Sequence, residues 1–166
     1  EITTTISRSK RWRADKKNAG KSPRKHQLLA LENWEKNGHR GIFEHATGSG
    51  KTYTAICAIR DALDRHKSVL VLVPSKELLR QWHTEFVDNI RDIDIKYLLC
   101  GDGHNNWKNE DLLRLWTSPS EKINKIVIAI MDTACSNQFV KSVFSGEHLL
   151  LVADEVHRIG SKARRN

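Results

Sequence analysis

Ile42-Phe43-Glu44-His45-Ala46-Thr47-Gly48-Ser49-Gly50-Lys51-Thr52 decides the fold. Gly41 to Glu44 reads as a short strand, Ala46 to Gly50 as a glycine-rich loop, and Lys51 to His66 as a helix. Ala55, Ile56, Ile59, Ala62 and Leu63 fall on one face of that helix. Strand, loop and helix in that order are the setting of a phosphate-binding loop. Gly48 and Gly50 let the backbone turn tightly and aim its N–H groups inward, and the helix start adds its positive dipole end. Lys51 is placed to reach the β- and γ-phosphates of a nucleotide, and the Thr52 hydroxyl to bind Mg²⁺. The strict pattern G-x-x-x-x-G-K-[ST] wants glycine at position 45, where this chain has His45. The bland alternative, a glycine-rich turn that happens to precede a lysine, loses weight once a strand and a helix flank it.

About a hundred residues on, Leu149-Leu150-Leu151-Val152-Ala153-Asp154-Glu155-Val156-His157 is an apolar strand ending in two carboxylates. Carboxylates beside an apolar core are costly unless a cation compensates them. Asp154 is therefore expected to hold Mg²⁺ through its water shell, and Glu155 to orient and deprotonate an attacking water. Alone, the pair reads equally well as a polar strand end. Joined to the phosphate loop it points to nucleotide hydrolysis.

Between the two motifs, strands and helices alternate. Ser68 to Val73 and Ile126 to Ile130 are aliphatic runs of the kind buried on both faces of a parallel sheet. Ile95 to Cys100 is a third strand. Ser75 to about Asn89 reads as a helix with Leu78, Leu79, Trp82 and Phe86 inward; Asp111 to Trp116 and Thr133 to Phe144 are further helices. Upstream, Pro23 opens a helix carrying Leu28, Leu29, Leu31 and Trp34, closed by Asn37-Gly38. The pattern predicts an α/β fold with a mainly parallel sheet flanked by helices, its ligands bound at the strand ends.

Several stretches resemble one family. Ala46-Thr47-Gly48-Ser49-Gly50-Lys51-Thr52 is similar to motif I of superfamily 2 helicases, which tolerates residues other than glycine before its core. Asp154-Glu155-Val156-His157 resembles the D-E-x-H form of motif II. Arg24-Lys25-His26-Gln27 looks like the R-x-x-Q element that precedes motif I. Val73-Pro74-Ser75-Lys76-Glu77-Leu78-Leu79-Arg80-Gln81-Trp82 resembles motif Ia. Ile128 to Thr133 sits where a later nucleic-acid motif usually occurs, with Ile130 where Thr is frequent. Asp154 to Ser161 looks most like the motors of type I and type III restriction enzymes and of related repair translocases.

The resemblance covers roughly Arg24 to Ser161 and implies a RecA-like first motor domain of a DExH helicase or translocase. It implies ATP and Mg²⁺ as cofactors, and nucleic acid, most of all double-stranded DNA, as partner. It assigns the adenine edge to Gln27 with help from Arg24, and the phosphates to Thr47, Gly48, Ser49, Gly50, Lys51 and Thr52. It gives nucleic-acid phosphate to Pro74, Ser75, Lys76 and Arg80, and coupling to His157. The coupling motif and the second RecA-like domain with its arginine fingers are expected beyond Asn166, with further domains or subunits possible, so the fragment alone is expected to be inactive. An ATP-gated clamp without strand separation, or an RNA track, is the runner-up. A P-loop small-molecule kinase leaves the D-E-V-H run and the V-P-S-K segment unexplained.

Composition fits this reading. The chain has 166 residues, 39% hydrophobic and 29% charged, with a net charge of +8. Residues 1–25 hold nine Lys or Arg against Glu1 and Asp15, a net of +7. Residues 1–22 are read as a basic leader or linker and 23–166 as the motor domain. The leader is equally a phosphate-binding arm or a solvated tail, and Trp12 within it favours contact with something. Trp107 lies in a polar loop and invites a stacking role, whereas Trp82 reads as core. No apolar run reaches the roughly 18 residues of a membrane span. Cys57, Cys100 and Cys135 are odd in number and read as buried thiols of a cytoplasmic or nucleoid-associated protein. No Cys or His pair has zinc-ligand spacing. Glu1 as first residue points to a processed or partial chain without a signal peptide.

Overall fold

The computed structural model describes residues 11–17, 20–44, 48–109 and 111–155. They form two compact units. One comprises Glu1–Asp61 with Phe86–Ile93, the other Ala62–Glu85 with Asp94–Asn166.

The second unit holds a four-stranded sheet. Its strands are β1 (Ser68–Val73), β2 (Ile95–Cys100), β3 (Asn124–Ile130) and β4 (Leu149–Ala153), ordered β2-β3-β1-β4. Every neighbouring pair is parallel. The aliphatic runs of β1 and β3 occupy the two central places, where both faces are covered; Val69, Val71, Ile126 and Ile128 have no exposed surface. β4 lies at an edge and is less covered, with Leu151 57% exposed. One face of the sheet packs Leu70, Leu98, Val127 and Ala129 with Trp107, Leu113 and Phe139.

That cluster corrects the reading of Trp107. Its ring is 4% exposed and meets Phe139 edge-on at 5.3 Å, so it is core and not a stacking platform. A short 3-10 turn, Asn106–Lys108, folds the polar loop over and drops the indole inward. The helix expected over Thr133 to Phe144 is also revised. It is two pieces, Met131–Ala134 and Asn137–Ser142. Ser136 interrupts it with extended backbone, and its hydroxyl caps the second piece by accepting from Phe139 N–H. The break leaves Cys135 exposed, against the expectation of a buried thiol. Cys57 and Cys100 are buried, and desolvation pushes both thiols up to about 12.

Lys125 gives this unit a feature not expected from sequence. It is 5% exposed, and its ammonium donates to the carbonyls of Leu115 at 2.6 Å and Ser118 at 2.8 Å. These lie at the end of the short helix Leu112–Thr117, whose last carbonyls lack a backbone N–H donor from the helix itself.

In the first unit, α1 (Lys25–Lys36) buries Gln27, Leu28, Leu31 and Trp34 and leaves Leu29 exposed. Gly38, at φ +66°, closes it. The Trp34 ring has Trp12 at 6.4 Å, His39 at 4.6 Å and Phe43 at 6.4 Å. Trp12 and Ala14 are each 1% exposed. Arg60 donates to the Ala14 carbonyl at 2.9 Å and pairs with Asp92, which also accepts from Lys16 N–H at 3.2 Å. Residues 11–17 are thus held by packing and by a buried ion pair. Burial alone raises the Asp92 carboxyl, but the Arg60 hydrogen bond and charge outweigh it and hold it below its ordinary range.

The strand expected at Gly41 to Glu44 is absent. These residues carry no strand pairing, Ile42 is 85% exposed, and Gly41 sits at φ +152°. With only two apolar residues the segment has little to bury in a sheet, and its Phe43 is spent on Trp34. α2 (Lys51–Asp64) and α3 (Lys76–Asn89) each contribute residues to both units.

Candidate nucleotide and nucleic-acid site

The described part of the phosphate loop is braced from α1. Gln27, 3% exposed, donates from Nε2 to the Gly50 carbonyl at 3.0 Å, and its Oε1 accepts from Arg24 N–H at 2.8 Å. His26 Nε2 lies 3.2 Å from the Ser49 carbonyl. The Gly50 carbonyl also accepts from Thr54 N–H at 3.1 Å, the first-turn bond of α2. Gln27 therefore fixes the loop where it enters the helix. Both ends of its amide are engaged by the chain itself, and Arg24 is exposed beside it.

Gly48 and Gly50 take φ of +78° and +88°, the left-handed region that glycine occupies without strain. A Cβ on Gly50 would lie 2.6 Å from Gln27 Nε2, whereas one on Gly48 would meet nothing within 4 Å among the described residues. Lys51 is exposed at the start of α2 and Thr52 partly so. The Ser49 hydroxyl is buried without a hydrogen-bond partner among the described residues. Thr47 lies outside the described residues, as do His45 and Ala46.

The carboxylate motif belongs to the other unit. Asp154 N–H donates to the Leu72 carbonyl at 2.9 Å, one bond past the last β1–β4 pair. Its Oδ2 accepts from the indole N–H of Trp82 at 2.8 Å. Glu155 turns the chain off the strand at φ +54°. Both carboxylates are half-buried. His157 lies outside the described residues.

The motif Ia residues follow β1. Pro74 and Ser75 are half-buried, and Lys76 and Arg80 are exposed on α3. Leu78 N–H donates to the Ser75 hydroxyl at 3.3 Å, so Ser75 caps the helix. Arg80 is engaged: its Nε donates to Asp102 Oδ2 at 3.0 Å and its Nη2 bonds the same oxygen. Asp102 is held in the left-handed region, at φ +53°, between Gly101 and Gly103. Sequence reading missed four contacts: Trp82 on Asp154, Asp102 on Arg80, and Gln27 and His26 on the loop. A signal existed for the first, because a buried tryptophan has an N–H that needs an acceptor.

A model of the family described as "Type III restriction enzyme, res subunit" matches residues 20–166. The chain belongs to that family. It is a superfamily 2 helicase-type domain with a RecA-like α/β fold. It is similar to the "Putative DNA 3'-5' helicase Rad25" of Haloarcula marismortui, at 32% identity over 127 residues. That match covers 75% of this chain and 17% of the relative. The protein of the same name from Halobacterium salinarum is 29% identical over 125 residues, 75% of this chain and 18% of that one. The chain thus spans less than a fifth of the length of these relatives. Among its described residues no helix is long and apolar enough to cross a membrane, and no three His, Cys, Asp or Glu side chains gather as a metal site.

Proposed function

We propose that this domain binds ATP·Mg²⁺ and forms the first motor domain of an ATP-dependent, DExH-type DNA helicase or translocase. The observation that carries the reading is the braced loop: two left-handed glycines, the second held by Gln27, lead into the first turn of α2 with Lys51 exposed. A helix start with free N–H groups and an adjacent ammonium binds phosphate. Lys51 neutralises charge on the β- and γ-phosphates. Among the described residues the buried Ser49 hydroxyl has no partner, and a phosphate oxygen would satisfy it.

The oxygen donors Thr52 and Asp154 suit magnesium, a hard cation that keeps several waters and uses one or two carboxylates. When bound, the metal supplies charge neutralisation at the phosphates. Glu155 orients and deprotonates the attacking water. The relatives' names, as DNA helicases, favour DNA as the track. Pro74, Ser75 and Lys76 offer a helix start and an ammonium to its phosphates, and Arg80 joins them when it leaves Asp102. His157 links the two activities, and a second RecA-like domain supplies the arginine finger.

The test is nucleotide hydrolysis by the full-length protein with and without duplex DNA. Hydrolysis stimulated by DNA and abolished by Lys51→Ala is the expected result. Near wild-type turnover in Lys51→Ala removes the phosphate-loop assignment.

A further inference from the structure

Asp154 is not a free carboxylate at a strand end. Its backbone is pinned to Leu72 and one oxygen is taken by the Trp82 indole at 2.8 Å. Trp82 is 2% exposed, so its N–H is shielded from water and would be costly to leave unpaired, while the half-buried Asp154 keeps its other side toward solvent. Indole Nε1 is a donor only, so it can bond this carboxylate but not compete with it for a cation. The ring sits on α3 two residues after Arg80 and six after Lys76, both exposed on the same helix. One helix thus carries basic residues to solvent and a fixed donor to the carboxylate.

We propose that Trp82 is a positioning residue for Asp154. Its N–H fixes Oδ2, so that the other oxygen is presented to magnesium and its water shell. It thereby ties the first turns of α3 to the metal carboxylate. The inference rests on the ATP·Mg²⁺ reading above and adds to it a residue that reading gives no role. Partners that orient a metal's ligands are worth about 10- to 100-fold in metal affinity.

The experiment uses the full-length protein, Trp82→Phe and Leu79→Ala. Phe keeps most of the ring and removes the donor. Leu79 is a fully buried neighbour on α3, and its truncation loosens packing without touching the bond. Binding of a fluorescent ATP analogue is titrated with magnesium and, separately, measured in EDTA. Thermal unfolding of each protein is recorded alongside. Trp82→Phe should raise the magnesium concentration for half-saturation at least about tenfold, with metal-free binding within twofold of wild type. Leu79→Ala should leave the magnesium dependence unchanged even where it lowers the melting temperature more.

An unshifted magnesium dependence in Trp82→Phe overturns the role of Trp82. So does an equal shift in Leu79→Ala, which would make the effect one of packing. Wild-type protein without magnesium-dependent nucleotide binding overturns the ATP·Mg²⁺ reading itself. A second readout keeps the indole intact: 5-fluorotryptophan placed at position 82 alone, followed by ¹⁹F NMR. Its resonance should move when magnesium is added to the nucleotide complex, and an unmoved resonance overturns the proposal even if Trp82→Phe does not fold.

Discussion

Two glycines two residues apart in the same loop ask for different things. Gly48 and Gly50 both occupy the left-handed region, where a Cβ costs about 1–2 kcal/mol. Among the described residues, a Cβ at Gly50 also runs into a neighbour, the Gln27 amide at 2.6 Å, and one at Gly48 does not. Gln27 is buried and bonded at both ends, so it has no easy way to retreat. Gly50→Ala should therefore lower the melting temperature more than Gly48→Ala, and weaken ATP binding by at least about tenfold, since displacing the brace shifts the loop by tenths of an ångström. Equal effects of the two substitutions on stability and nucleotide affinity would show that the brace is not rigid.

At the scale of elements, Lys125 closes a helix from a neighbouring strand. Replacing it with Met leaves the Leu115 carbonyl without its ammonium donor and the Ser118 carbonyl with the Ser68 hydroxyl alone, at a cost of about 1–3 kcal/mol. Denaturant unfolding of Lys125→Met measures this. The pH dependence has a definite sign. Burial lowers the lysine's pKa in the folded state. The unfolded chain then binds the proton more tightly, so in the window just below the ordinary value of 10.5, raising the pH favours the fold through this group. Lys125→Met should remove that part of the slope. Such a residue was not legible in the sequence, because a lysine next to an aliphatic run looks like the solvated start of a strand. The aliphatic runs themselves were legible. β1, β2 and β4 lie where composition put them, since buried parallel strands have few other ways to read. The pieces misread were those that depend on distant partners. Gly41 to Glu44 has strand-like residues but no ladder, and Trp107 has polar neighbours in sequence but Phe139 in space. Of the candidate site, the residue types at the phosphate loop and at Asp154-Glu155 were readable from spacing. The braces on them, Gln27 and Trp82, come from contacts across 23 and 72 residues.

Over the whole molecule, the charge is concentrated in residues 1–25, but the second half of that stretch is also structural. Trp12 is buried, and Arg60 and Asp92 hold residues 14 and 16. Trp12→Ala should cost about 3–5 kcal/mol, the range for deleting a buried aromatic side chain. Removing residues 1–22 would mix lost packing with lost charge. Neutralising Arg8, Lys10 and Lys17 to Gln separates them. If all three meet DNA phosphate, the slope of log affinity against log salt should flatten by about 2.7, at about 0.9 per contact, with the melting temperature unchanged. Superimposable salt titrations with and without these charges would remove the leader from DNA binding and leave the nucleotide site as it stands.

The strand register has a consequence for how this sheet can vary. Leu72 lies abreast of Ala129 on one side and Ala153 on the other, and Ala129 abreast of Cys100. One row therefore crosses all four strands, and the residues just past it are Gly101, Val73, Ile130 and Asp154. An extra residue inside β1 would slip two seams together, exchange inner for outer side chains along the strand, and carry Pro74 to Lys76 out of line with Asp154. The same insertion inside β2 would slip a single seam and leave Asp154 opposite Trp82. Length changes in this sheet should therefore be absorbed at its β2 margin, while β1 admits exchanges of side chain but no change in the count of residues.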